Sequence, residues 1–260
     1  MPAEPFVPND TTILAELASL ARGGAPEMLQ FGSLAAAHQY RALYAHWRRH
    51  VPANAQVLDW GAGNGHFSYF LARAGYRATA FSFMPFLFES WLPPGPFEFV
   101  AGSEREPVRL PFADASFDAV ASIGVLEHVR ETGGTEPGSL AEIARVLRPG
   151  GVLVCWHFPN QWSWIDLFAR QLPGKHRHLY RYTRGRVREL VADAGLELVE
   201  TARYGVLPRN TLHRWLGPAR DARWAADLWD ALDAVLSVPC NGIAQNHWFV
   251  ARRPGGAPRA

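Results

Sequence analysis

The stretch of this chain best suited to chemistry is Asp59-Trp60-Gly61-Ala62-Gly63-Asn64-Gly65, three alternating glycines with a carboxylate two places ahead of the first. An apolar run from Gln56 to Trp60 leads into it, and Phe67 to Ala74 reads as a helix behind it. Glycines between a strand and a helix let the backbone approach a ligand without interference from Cβ, while the helix N–H groups point at it. The spacing is G-x-G-x-G and not the G-x-G-x-x-G of a dinucleotide site, which disfavours a nicotinamide-dependent oxidoreductase. A carboxylate at Asp59 would repel a pyrophosphate but could hold a ligand ammonium, directly or through water. Two histidines add acid–base capacity near neutral pH: His128 and His157 each follow a predicted strand, at the edge where open α/β sheets bind ligands. For each, the alternative is a hydrogen-bonded structural histidine.

Such groups need a scaffold, and the pattern supplies one. Ile13 to Ala21 and Ala35 to Arg49 read as helices, the second with Tyr40, Leu43, Tyr44 and Trp47 at helical spacing. After Gln56 to Trp60, further strands are predicted at Ala78–Phe83, Phe97–Ala101, Ala119–Ile123 and Val152–Trp156. A helix over Leu140–Leu147 stops at Arg148-Pro149-Gly150-Gly151. Helix Arg184–Ala194, strand Glu197–Arg203, helix Ala222–Leu236 and strand Asn246–Ala251 complete the chain. Strands alternating with helices imply a parallel sheet covered on both faces. No internal repeat is visible, which sets aside solenoids and propellers.

The composition narrows the function class. The chain has 260 residues, 48% of them hydrophobic, and its formal charge is only +2, which argues against a dedicated nucleic-acid binder. No basic start with an apolar signal region and no run long enough to cross a bilayer is seen, so a cytoplasmic location is expected. Cys155 and Cys240 form no metal or redox motif and read as reduced core thiols. The near-neutral total is an average: Arg170 to Arg188 holds seven Arg and Lys and no acid, +7, leaving −5 elsewhere.

Taken together, the segments resemble the class I S-adenosylmethionine-dependent methyltransferases. Beyond the glycine turn, Leu110 to Val120 looks like the family's approach to strand four, Gly124-Val125-Leu126-Glu127-His128-Val129 like the segment leaving it, and Leu147 to Gly151 like the turn before strand five. The subgroup it is most similar to contains ubiquinone- and menaquinone-type and related small-molecule methyltransferases. The resemblance implies an α/β, Rossmann-like, seven-stranded mostly parallel sheet with an antiparallel C-terminal hairpin, plus helical N-terminal and lid segments. It implies S-adenosylmethionine as cofactor and S-adenosylhomocysteine as product, with Asp59, Gly61, Ala62 and Gly63 beside the methionine moiety and Val125 and Leu126 beside the ribose and sulfonium. The family's acidic residue at the end of strand two is Ser82 here, next to Phe83, and its later Asp falls at Gly102-Ser103-Glu104. Some quinone methyltransferases are similar at Glu127-His128 and bind a divalent metal through Glu-x-x-Glu-His. Gly124 stands at the first Glu position, so no metal is expected.

The organisation this implies is an N-terminal helical cap over 1–50, a cofactor-binding half over 51–157, a lid or substrate insertion over 158–183, a second half over 184–253, and a tail over 254–260. In the insertion, Arg177 and Arg181 are candidates to bind an anionic acceptor, with Trp162 covering an aromatic one. Tyr40 is a candidate to close over the same site. The aromatic segment Trp162 to Arg170 also leaves a peripheral membrane contact open. The reading is methyl transfer to a small molecule, O-methylation foremost, with His128 or His157 as base. The alternative is a non-catalytic binding or scaffolding subunit, motivated by Ser82 and Ser103. Oligomeric state is not encoded in these patterns.

Overall fold

The computed structural model describes residues 8–25, 28–86, 88–171, 178–209 and 213–255. Seven strands form one sheet: β1 (Gln56–Trp60), β2 (Arg77–Ser82), β3 (Phe97–Ala101), β4 (Phe117–Ile123), β5 (Leu147–Pro159), β6 (Glu197–Tyr204) and β7 (Asn246–Arg252). Their order is β3-β2-β1-β4-β5-β7-β6, with β7 antiparallel to both β5 and β6 and the first five strands parallel. The order reverses between β1 and β4, so a crevice opens at their carboxyl ends, where the glycine turn and the segment after Ile123 meet.

The side-chain alternation of β1 explains why both faces are covered. Val57 belongs to one buried core and Leu58 and Trp60 to the other. The first core is covered by α1 (Asp10–Arg22), α3 (Arg41–His50) and α4 (His66–Arg73), the second by α5 (Glu136–Val146) and α7 (Arg184–Asp193). The single N-terminal helix expected over Ala35–Arg49 is broken instead. A short α2 (Leu34–Ala37) gives way to a tighter 3-10 turn at His38–Tyr40 before α3 begins, and this change of pitch directs Tyr40 inward.

The insertion is pinned at both ends. Asn160 pairs with Tyr182, whose ring stacks on Phe158 at 3.9 Å, and the Asn160 side-chain amide donates to the Gly242 and Ala244 carbonyls. Between them, Ser163 caps α6 (Trp164–Ala169) by accepting the Asp166 N–H. The last helix, α8 (Arg223–Ser237), packs over the N-terminal helices. No helix among the described residues is long and apolar enough to cross a membrane.

Candidate active site

The glycine turn is built by its neighbours as much as by itself. Gly61 and Ala62 donate their N–H groups to the Phe81 carbonyl at 2.8 and 3.0 Å, tying the turn to β2. Gly61 has φ +75°, and a Cβ there would lie 2.5 Å from both Val125 methyl groups. Glycine is therefore required twice over, by backbone sign and by the approach of the β4 exit segment. Beneath the turn, Asp59 is buried and its Oδ2 accepts the Ser68 hydroxyl at 2.6 Å, while burial pushes its pKa up to about 6.

Beside the turn lies a cavity of about 270 Å³ lined by Trp60, Gly61, Ser82, Phe83, Glu104 and Val125, among others. Of the expected cofactor residues, Gly61, Ser82, Phe83, Glu104 and Val125 thus converge. Ser103 does not line it; its hydroxyl is turned to the Arg105 N–H. Leu126 is fully buried in the core behind, and Asp59, Ala62 and Gly63 sit at the turn without lining this space. Met84 and Pro107 also line it and carry no motif that spacing could have flagged.

A second cavity of about 470 Å³ shares one wall residue with the first, His128, which lines both. Its walls include Gln30 and Tyr40 from the N-terminal region, His66 at the start of α4, Glu127, His157 and Asn246. Four of these carry buried polar atoms without a hydrogen-bond partner: His66 Nδ1, Glu127 Oε2, His157 Nε2 and Asn246 Oδ1. Burial pushes Glu127 up to about 8 and His66 and His157 down to about 4 and 3, so near neutral pH the carboxyl keeps its proton and both imidazoles are uncharged.

His157 reaches the cavity through a local irregularity. The pairing of β5 with β7 shifts register between Cys155 and Phe158, and His157 adopts φ +67°. A bulge of this kind re-aims a side chain that regular alternation would send elsewhere. His128 is held differently: its Nδ1 lies 2.9 Å from Glu131 Oε1 and its Nε2 3.9 Å from Glu127 Oε1. From the insertion, α6 contributes Ile165, Asp166 and Ala169 to the wall, with His178 beside them and its Nδ1 3.3 Å from Asp166. Glu127, His128 and His178 each offer a ligand atom within 4.8 Å of the other two, a set able to hold a divalent cation although Gly124 lacks a carboxylate.

The insertion's expected substrate residues fare otherwise. Trp162 is 56% exposed and lines neither cavity, because the Ser163 cap starts the helix after it and the Trp164 indole anchors that helix by donating to the Val206 carbonyl. Arg181 donates to the Gln161 carbonyl at 3.3 Å and is not among the lining residues. Arg177 lies outside the described residues. Of the three that are described, Tyr40 alone is in the cavity wall, its ring edge-on to His157 at 5.3 Å between centroids.

Comparison with known proteins agrees with this geometry. The family model of a methyltransferase domain matches residues 58–155. A demethylmenaquinone methyltransferase of Renibacterium salmoninarum is 31% identical over 189 residues, 70% of this chain and 71% of the relative. One of Tropheryma whipplei is 31% identical over 142 residues, and the chain spans only about half of that relative's length, 54%. Among solved structures, the Burkholderia thailandensis 1,6-didemethyltoxoflavin N1-methyltransferase, with its substrate and S-adenosylhomocysteine bound, shares the fold at a TM-score of 0.52 and 21% identity, over 97% of this chain and 94% of that one. On the glycine turn, the strand order and these relatives together, the chain belongs to the class I S-adenosylmethionine-dependent methyltransferases.

Proposed function

We propose that this protein binds S-adenosylmethionine in the smaller cavity and methylates a polar small molecule held in the larger one. The observation that carries the reading is the set of four unpartnered buried polar atoms on residues of a single cavity wall. Each such atom costs about 1–3 kcal/mol unless something bonds it, and a hydroxylated acceptor would supply the bonds. Bound S-adenosylmethionine supplies an electrophilic methyl group, released to the acceptor with its bonding pair left on sulfur.

The chain's own residues do the rest by alignment and proton handling. His128 stands in the wall of both cavities, oriented by Glu131, and is the group placed to take a hydroxyl proton. His157 and protonated Glu127 act as hydrogen-bond donors that fix the acceptor. This favours O-methylation. No Arg or Lys lines the described wall.

Calorimetric titration with S-adenosylhomocysteine tests the assignment. One-to-one binding that Asp59→Ala abolishes supports it, whereas no heat and no thermal shift would sink it. The runner-up, a non-catalytic scaffold, is favoured by Ser82, whose hydroxyl already accepts the Met84 N–H and offers a ribose only uncharged hydrogen bonds in place of a carboxylate's charge-assisted ones. It predicts that same silent titration together with a co-purifying partner.

A further inference from the structure

On the face of the sheet covered by α3, away from both cavities, the structure gathers two imidazoles and a carboxylate. His46 and His50 are four residues apart on α3 and so stand one turn apart on one side of the helix. Glu200 lies on the neighbouring edge strand β6, and its Oε2 is 3.1 Å from His50 Nε2 and 3.8 Å from His46 Nδ1. All three ligand atoms fall within 4.8 Å of one another. We propose that His46, His50 and Glu200 form a transition-metal site of the zinc class that fastens α3 to β6.

The dimensions suit it. Zinc–nitrogen bonds of about 2.0–2.1 Å place neighbouring atoms of a tetrahedral set about 3.3 Å apart, and the two separations from Glu200 bracket that value. Two imidazoles with one carboxylate are a borderline-soft set that selects zinc, cobalt or nickel over magnesium and calcium. The set is also positioned before any metal arrives. The His46 ring lies 4.0 Å from that of Trp248 and 5.9 Å from that of Trp156, which fixes its orientation. Glu200 is on a strand, and the i, i+4 pair is on a helix, so no loop has to order. The competitor for the carboxylate is Arg49, whose Nη1 is 3.8 Å from Glu200 Oε1; its side chain is 69% exposed, and it can swing into solvent.

The placement gives the site a consequence. The residue before α3 is Tyr40, and β6 ends at Tyr204; both contact the ring of His157. A metal joining His46 and His50 to Glu200 braces the two elements that frame His157. It is thus a structural clamp and takes no part in the transfer.

The test is titration of the chelator-treated full chain with Co2+, read by visible absorption, and with Zn2+, read by calorimetry. We expect one ion bound with a four-coordinate cobalt spectrum, a rise in melting temperature, and affinity reduced at least tenfold in His50→Gln and in Glu200→Gln. Both replacements keep the side-chain size, and circular dichroism verifies that each variant is folded. His178→Ala and Asp227→Ala, each of which disables one of the two other candidate clusters among the described residues, should leave this binding unchanged. Absence of binding below millimolar metal, binding that survives both His50→Gln and Glu200→Gln, or binding lost only in His178→Ala or Asp227→Ala overturns the proposal. S-adenosylhomocysteine affinity is read in parallel and fails or stands independently.

Discussion

The Tyr204 hydroxyl lies 2.8 Å from Nδ1 of His157 and accepts the His157 backbone N–H at 3.1 Å. With that N–H pointing at its oxygen, the phenol proton goes to Nδ1, so the imidazole carries its own proton on Nε2. His157 is thereby fixed as a donor, with a backbone at φ +67° held in place by the same hydroxyl. Two carboxyl-edge histidines that look equivalent in sequence acquire different roles: His157 holds, and His128, oriented by Glu131, is the one proposed to accept a proton.

Replacing Tyr204 with Phe removes both bonds at once. We expect a loss of about 1–3 kcal/mol in unfolding free energy, because a buried N–H and a ring nitrogen are left unpartnered. Urea denaturation measures that loss. The 15N shifts of His157 should change from a single Nε2–H tautomer to a mixture; an unchanged pattern would show that Tyr204 does not set it.

Gly61→Ala separates two reasons for a glycine. The new methyl would sit 2.5 Å from both Val125 methyl groups, and alanine at φ +75° carries a backbone cost of about 1–3 kcal/mol. We expect at least tenfold weaker S-adenosylhomocysteine binding together with a lower melting temperature. Adding Val125→Ala should recover the part due to overlap and leave the part due to φ. Full recovery in the double variant would mean that the backbone sign is irrelevant.

These cases also mark what the residues disclosed in advance. Strand β1 and strand β3 occur at the expected boundaries, and the glycine turn between strand and helix was legible because its spacing acts locally, on residues that follow one another. The acceptor side was not, since Gln30, His66, Glu127 and Asn246 come from distant parts of the chain and meet only when the sheet forms. His66, directly after the last glycine of the turn, is the one that position could have flagged. Arg181 and Trp162 offer charge and aromaticity, properties that composition reports without direction. What settled their direction was the Ser163 cap, which rotates α6 so that Ile165, Asp166 and Ala169 face the cavity.

Glu127 ties stability to pH. Burial pushes it up to about 8, so the folded chain keeps a proton that the unfolded chain loses from 4.5 upward. The folded state then binds more protons across that window, and stability falls as pH rises toward 8. Asp59, pushed up to about 6, adds the same sign at lower pH, while His66 and His157 act oppositely below 6.5. Glu127→Gln should therefore flatten the decline between about pH 6.5 and 9, where Glu127 acts alone of these four, and be the more stable protein at the upper end. Denaturation midpoints across that range decide it; parallel curves for the two proteins would refute the buried-acid assignment.

Ser82 permits a gain-of-function test of the cofactor site. It sits at the end of β2 in the wall of the smaller cavity, with its oxygen engaged by the Met84 N–H. An aspartate there can keep that bond with one oxygen and present the other to the ribose hydroxyls, exchanging a neutral contact for a charge-assisted one. A charge-assisted bond exceeds a neutral one by about 1 kcal/mol, so Ser82→Asp should tighten S-adenosylhomocysteine by roughly fivefold to tenfold. Adenine alone, which has no ribose, should bind as before. If instead the variant binds both ligands equally or more weakly, the ribose does not lie at the end of β2 and the cofactor must be placed differently in the cavity.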